Sequence, residues 1–234
     1  MVRFETLEQL GVRVAVMSDI GDGDCRLSSS DGMAARRRFC EASGVPYEHV
    51  AIGCQVHGAQ IAIVNENDRG RGHEGFHAAF EATDGLITDV PGLPIGLSIA
   101  DCVPVFLFDS KRRAIGLVHA GREGTMQRIA ALAVEAMQRV YDCEPSDIHA
   151  VIGPSAGPKS YEVSEEMAQA FTAAGFPARG RYIDLWEANA MQLVSAGLRR
   201  DTITIAGVCT IASGRFHSHR AHGNGARNLA LIML

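Results

Sequence analysis

No apolar run in the 234 residues reaches the ~18 positions that a membrane-spanning helix needs. A membrane protein of that kind is therefore not expected. The opening stretch, residues 1–19, carries Glu5 and Glu8 where a secretory leader would place its apolar core, so no targeting segment is expected and the expected location is cytoplasmic. A basic surplus is also missing. Against 22 Lys and Arg stand 27 Asp and Glu, a net charge of −5, which argues against phosphate-driven binding of nucleic acid. The six cysteines (25, 40, 54, 102, 143 and 209) contain no C-x-x-C. A chain this long builds its core without disulfide staples, so reduced, mostly buried thiols are expected. There is no G-x-G-x-x-G directly after a strand and no G-x-x-x-x-G-K-[ST]. The ready-made dinucleotide and phosphate-loop signatures are thus absent. No repeat, low-complexity tract or flexible linker divides the chain, which reads as one domain over 1–234.

What is present is an ordinary globular composition, 47% hydrophobic and 21% charged, arranged in alternating strand and helix patterns. Strands are expected at 12–18, 49–56, 59–65, 85–90, 95–100, 104–108, 114–119, 148–153 and 202–208. Helices are expected at 31–44, capped by Ser30 or Asp31, at 124–142, at 164–175 and 184–197, capped by Ser164 and Asp184, and at 225–234. The segments 104–108 and 114–119 form a hairpin across "DSKRR". Hairpins mixed with strand–helix alternation predict an α/β (α+β) fold, a single layered domain of mixed sheets covered by helices.

The chemistry concentrates at "IADCVPVFLFDSKRRAIGLVHAGREG" (99–124). Pairing Phe108 with Ala114 sets Val103 against His119 and Cys102 against Ala120. Both reactive side chains then sit at the open end of the hairpin, but strict alternation turns them to opposite faces. A kink at 102–104, favoured by Pro104, would bring them together. Thiolate and imidazole are zinc donors, and a catalytic zinc takes three protein ligands and leaves one position open. His57, between two strands and followed by Gly58, is the candidate third donor. Each of the three, taken alone, is more commonly a packed or satisfied residue than a ligand. Asp101 is read as an orienter of a ligand histidine, a general base or proton carrier, or a turn cap. "HSHRAH" offers His217, His219 and His222 as a rival triad, and His73 and His77 stand at helical spacing in a polar loop. Arginines and lysines near these segments are candidate anion binders or plain surface charges. "ARRRF" (35–39) reads most simply as one exposed helix face.

Six blocks, "QVHG" (55–58), "DGLITDVPGLPIGLSIADCVPV" (84–105), "GLVHAGREGT" (116–125), "IGPSAGPKSYEV" (152–163), "YIDLWEAN" (182–189) and "RFHSHRAHGNGARNLALIML" (215–234), occur in the order in which the YfiH-type laccase-domain family has them. The chain resembles that family over roughly residues 50–234. The resemblance implies a mixed, layered α/β fold shared with certain deamidating toxins. It also implies a zinc-dependent purine nucleoside phosphorylase with adenosine deaminase and methylthioadenosine phosphorylase activities, a family formerly described as polyphenol oxidase. It makes His57, Cys102 and His119 the metal ligands and purine nucleosides and phosphate the partners. Asp101, Cys102 and His119 become the catalytic residues, and Arg36, Arg122, Lys159, Tyr161 and Arg220 the candidates for gripping substrate or phosphate. The chain departs from the family in two places. His119-Ala120-Gly121-Arg122-Glu123-Gly124 lacks the usual Trp after the first Gly, and "IGDGDCRLSSSDG" with Ala35-Arg36 replaces a Gly-Gly-Val-Ser loop and an Asn-Arg pair. These departures bear on the pocket, not on the metal donors.

Three alternatives stand beside that reading. One is a thiol hydrolase or deamidase with Cys102 as nucleophile and His119 as base. Another is an inactive relative with an altered pocket. Copper-dependent phenol oxidation ranks lower, since His217-x-His219 is the only H-x-H pair.

Overall fold

A computed structural model describes residues 1–234. In chain order the strands are β1 (Val2–Arg3), β2 (Val14–Met17), β3 (Ala51–Ile52), β4 (Ile61–Ile63), β5 (Gly85–Thr88), β6 (Ile95–Ile99), β7 (Val103–Asp109), β8 (Ala114–Ala120), β9 (Ile148–Ile152), β10 (Ala178–Arg179), β11 (Tyr182–Ile183), β12 (Ile203–Ile205) and β13 (Asn228–Met233). The helices are α1 (Glu5–Glu8), α2 (Ser30–Ser43), α3 (Arg122–Met126), α4 (Ile129–Tyr141), α5 (Glu165–Ala173), α6 (Leu185–Ser195) and α7 (His219–His222). No helix is long and apolar enough to cross a membrane.

Two mixed sheets carry the fold. One has the order β1-β2-β13-β6-β3 and the other β12-β9-β7-β8-β5-β4, with β10-β11 as a separate ribbon. Alternation along the strands assigns their faces. Phe106, Phe108, Ile115 and Leu117 of the second sheet pack with Leu97, Ile99, Ala230 and Ile232 of the first, in a core between the sheets. Val105, Leu107, Val118 and Ala120 turn the other way, onto Ile129, Ala133 and Met137 of α4 and Leu193 of α6. Val16, Leu229 and Leu231 face Phe39 and Cys40 of α2. The result is four layers, helix–sheet–sheet–helix, as the mixed layered expectation required.

Three sequence expectations are corrected. The C-terminal run "NLALIM" is the central strand of the first sheet, antiparallel to both β2 and β6, not a helix. Its Leu, Ala and Met favour helix intrinsically, but every residue of it is buried on one face or the other, and two-sided burial overrides propensity. The helix expected over 124–142 is broken into α3 and α4 at Arg128, which has φ 62°. The cap of α2 is Ser29, whose hydroxyl accepts from Gly32 N, not Ser30 or Asp31. Ser164 and Asp184 cap α5 and α6 as expected.

Candidate metal centre

The hairpin register decides the site. β7 and β8 pair one residue away from the expected register: Asp109 faces Ala114, Pro104 faces His119 and Val103 faces Ala120. A one-residue shift moves every side chain to the other face. Cys102, two residues before Pro104, therefore shares the face of His119, and no kink at 102–104 is needed to bring them together. The chain bends just before, at Asp101, a non-glycine residue with φ 74°. Continued past its last pair, the ladder sets Cys102 opposite Gly121. There a side chain would collide: a Cβ at Gly121 would lie 2.8 Å from Cys102 Sγ and 3.2 Å from His57 Cδ2.

His57 reaches the same point from a loop with no ladder of its own. Gln55 stands in for the missing strand, its side chain donating to Ser98 O and accepting from Ser98 N, both at 2.8 Å. The loop is then gathered by one carboxylate. Asp84, wholly buried, accepts from Val56 N (3.0 Å) and Gly58 N (2.9 Å) on Oδ2, and from His57 N (3.0 Å) on Oδ1. These three bonds hold His57 in the left-handed region, φ 62°, a conformation that non-glycine residues avoid without compensation. Asp84 Oδ1 also accepts from His119 Nδ1 at 2.8 Å. With Nδ1–H so engaged, Nε2 is the nitrogen left to coordinate.

Donor atoms of His57, Cys102 and His119 all lie within 4.8 Å of one another. A tetrahedral ion with bonds of about 2.0–2.3 Å holds its donors about 3.5 Å apart, so this spacing fits one ion. Burial works against charge on Cys102 and on His119, but their mutual attraction outweighs it, with Asp84 adding its hydrogen bond to His119. Thiolate and imidazolium are both favoured; thiolate is the ligating form, and binding an ion would release the proton of His119 Nε2. His119 and Asp84 are buried and His57 is exposed, so the donor set opens on one side only. It opens into a cavity of about 660 Å³ whose lining includes Arg26, Phe76, Arg122, Tyr161, Arg220 and Arg227.

Asp101 lines this cavity too, but both its oxygens are engaged. Thr210 Oγ1 donates to one at 2.6 Å and Arg220 N to the other at 2.7 Å. The orienting of a ligand histidine, one of the roles open to Asp101, is done by Asp84. Arg220 is held in turn by Nη1 donating to Glu162 O (2.8 Å) and lies over the Tyr161 ring, 5.2 Å from its centroid. Arg122 is at the rim, paired with Glu123.

Two expected substrate residues lie elsewhere. Lys159 is exposed beside Glu162, Arg179 and Tyr182, outside the cavity lining. Arg36 is wholly buried in α2, neither in the cavity nor on an exposed helix face. Of the rival histidines, only His219 lines the cavity. His217 Nε2 faces Gly23 O, and His222 Nδ1 accepts from Ser218 N. His73 Nδ1 is bonded to Gly70 O. Sequence reasoning missed Asp84, Gln55, Gly121, Arg26, Phe76 and Arg227. Asp84 had one local sign, a polar residue directly before an apolar strand, which does not distinguish it from a turn residue.

Gly121→Ala tests the crowding. The backbone there, φ −70° and ψ 179°, accepts alanine, so the cost falls on the donors. Zinc affinity is expected to weaken by about tenfold or more, measured by competition with a chromogenic chelator, while the circular dichroism spectrum is retained. Unaltered affinity would refute the crowding.

A family model described as multi-copper polyphenol oxidoreductase laccase matches residues 24–234. The chain is 36% identical over 215 residues to a Geobacillus stearothermophilus protein named purine nucleoside phosphorylase YlmD, covering 87% of this chain and 78% of that one. It is 33% identical over 201 residues to a protein of an unknown prokaryotic organism named adenosine deaminase RL5, covering 82% and 74%. The crystal structure of YlmD from Geobacillus stearothermophilus superposes with a TM-score of 0.88 at 33% identity, over 94% of this chain and 91% of that one. That of the Bacillus licheniformis hypothetical protein YfiH gives 0.87 at 28%, over 94% and 92%. In sequence and in fold, this chain belongs to the laccase-domain family whose model carries the description multi-copper polyphenol oxidoreductase laccase.

Proposed function

We propose that this chain is a zinc-dependent purine nucleoside phosphorylase, with deamination of adenosine as a second activity of the same site. The observation that carries the reading is a three-donor group, open on one side, at the wall of a cavity that also holds unpaired cations. Arg220 and Arg227 line the cavity and neither forms an ion pair with a carboxylate, which suits an anionic co-substrate such as phosphate. The names of the relatives agree with a nucleoside substrate.

His57, Cys102 and His119 would hold the ion. When bound, it supplies a Lewis acid that stabilises developing negative charge. The chain's own groups do the rest. Arg220, steadied by Asp101 and Glu162, and Arg227 grip phosphate. Burial, and then the neighbouring Cys102, raise the pKa of Tyr161, so its hydroxyl stays protonated and can donate to the departing base. Phe76, 43% exposed on the cavity wall, offers a face for the purine ring. One two-imidazole, one-thiolate group suits zinc. Multicopper oxidation requires several copper centres, and the chain assembles one donor group of this kind.

Purified protein incubated with inosine or adenosine and inorganic phosphate is expected to release free base and ribose 1-phosphate, and inosine from adenosine. A chelator removes both activities and added zinc restores them. Neither product from fully metal-loaded protein would reject the proposal. The His119–Asp84 hydrogen bond beside Cys102 also builds the parts of a thiol hydrolase. Hydrolysis that survives the chelator and is stopped by iodoacetamide would favour that second reading.

A further inference from the structure

Arg36 is the one arginine in the chain with no solvent exposure. Burying an ion is costly without a partner, and no carboxylate stands within ion-pair distance of this one. Its partners are carbonyls and a hydroxyl. Nη1 donates to Arg26 O at 2.6 Å, and Nη2 donates to His73 O at 3.1 Å and to Tyr47 Oη at 3.5 Å. Tyr47 Oη itself donates to His73 O at 2.7 Å. The remaining guanidinium nitrogen, Nε, has no partner. An apolar side chain would fill this space without the desolvation cost, so the charge is spent on joining two main-chain segments.

Both segments border the cavity. The first supplies Arg26, Leu27 and Ser28 to its lining, and the second supplies Phe76. Neither is a strand there, although Cys25 N of the first donates to Arg227 O, just before β13, at 2.9 Å. Helix α2 carries a glycine where the first approaches: a Cβ at Gly32 would lie 2.0 Å from Arg26 O. Once its carbonyl is pinned, Arg26 extends its own Nη2 to Asn224 O at 3.2 Å, next to the cavity residues Gly225 and Arg227.

We propose that Arg36 is a positioning residue for the substrate cavity: from behind the wall, its guanidinium fastens the Arg26 and His73 segments so that Arg26 and Phe76 face the bound substrate in fixed places. The identity of that substrate rests on the phosphorylase reading above; the clamp does not. Methionine at 36 fills the space and drops all three bonds. Lysine keeps the charge and can reach one carbonyl.

The test compares zinc-loaded wild type, Arg36→Met and Arg36→Lys. In Arg36→Met, amide hydrogen exchange is expected to rise about tenfold or more in 24–29 and 72–77 and to stay as in wild type in β7, β8 and β13. KM for inosine or phosphate rises about tenfold while kcat changes less, metal content is unchanged, and Arg36→Lys recovers part of the loss. Unchanged exchange in both segments overturns the proposal, and so does faster exchange throughout the molecule, which marks a general core residue. If Arg36→Met does not fold, Arg36→Lys and Arg36→Gln are read by the same exchange criterion. If wild type lacks phosphorolysis, the functional reading fails, while the exchange measurement still decides the clamp.

Discussion

Cys102→Ala is expected to leave the protein folded, without its divalent ion, and with turnover reduced by about a thousandfold or more, since the only thiolate of the donor set is gone. Cys102 is half-buried just before β7, and its replacement leaves the bonds around Asp84 intact, so little stability is lost. Elemental analysis should find about one zinc per chain in wild type and far less in Cys102→Ala, with no excess of copper in either. Cys102→Ser tests the donor itself. It keeps the size but offers a hydroxyl, a much poorer ligand, and should resemble the alanine variant. One ion per chain and full turnover in Cys102→Ala would dismiss the three-donor site.

The second large effect belongs to Asp84, which is not a ligand. Its two oxygens take four hydrogen bonds, from His119 Nδ1 and the amides of residues 56, 57 and 58. Asn in its place has one accepting oxygen and an NH₂ group that confronts two of those donors. Breaking a buried, charged partner in this way costs about 3–5 kcal/mol, or about 10 °C in Tm for a chain of this size. Metal affinity should fall by about 10–100-fold as His119 and the His57 loop lose their orientation. Calorimetric melting and chelator competition on Asp84→Asn measure the two effects separately. A variant that melts and binds zinc like wild type would show that the carboxylate is dispensable.

Asp84 also gives stability a pH dependence. Burial opposes its ionisation, but the hydrogen bond from His119 and those from Val56 and Gly58 outweigh it, so its pKa lies below the usual carboxylate value. A carboxyl depressed in the fold contributes stability that is fully present above its unfolded pKa, about 3.9, and that fades as pH falls from there through the folded value. Acid unfolding should therefore steepen below about pH 4, and Asp84→Asn should flatten that part of the curve.

Much of this was legible in the residues. The strands of the hairpin, the helices capped by Ser164 and Asp184, and the mixed layered class all follow from local period and capping chemistry, which neighbours along the chain decide. His57, Cys102 and His119 could be nominated because thiolate and imidazole are zinc donors and all three stand at strand ends. The geometry that went with the nomination was in error. Reading the hairpin one residue out of register turned Cys102 away from His119 and demanded a kink that the true pairing does not need.

What the sequence by itself determined is local: which segments become strands or helices, and which side chains have the chemistry to bind a metal. Tertiary structure alone decided the rest, because it depends on distant partners. "NLALIM" became a strand because sheets and helix bury both its faces. Arg36, in a run that reads as exposed helix, was drawn inward by the carbonyls of residues 26 and 73. Asp84, a polar residue at the edge of a strand, became the group that orients one ligand and folds the loop of another, since only in three dimensions do four donors meet a single carboxylate.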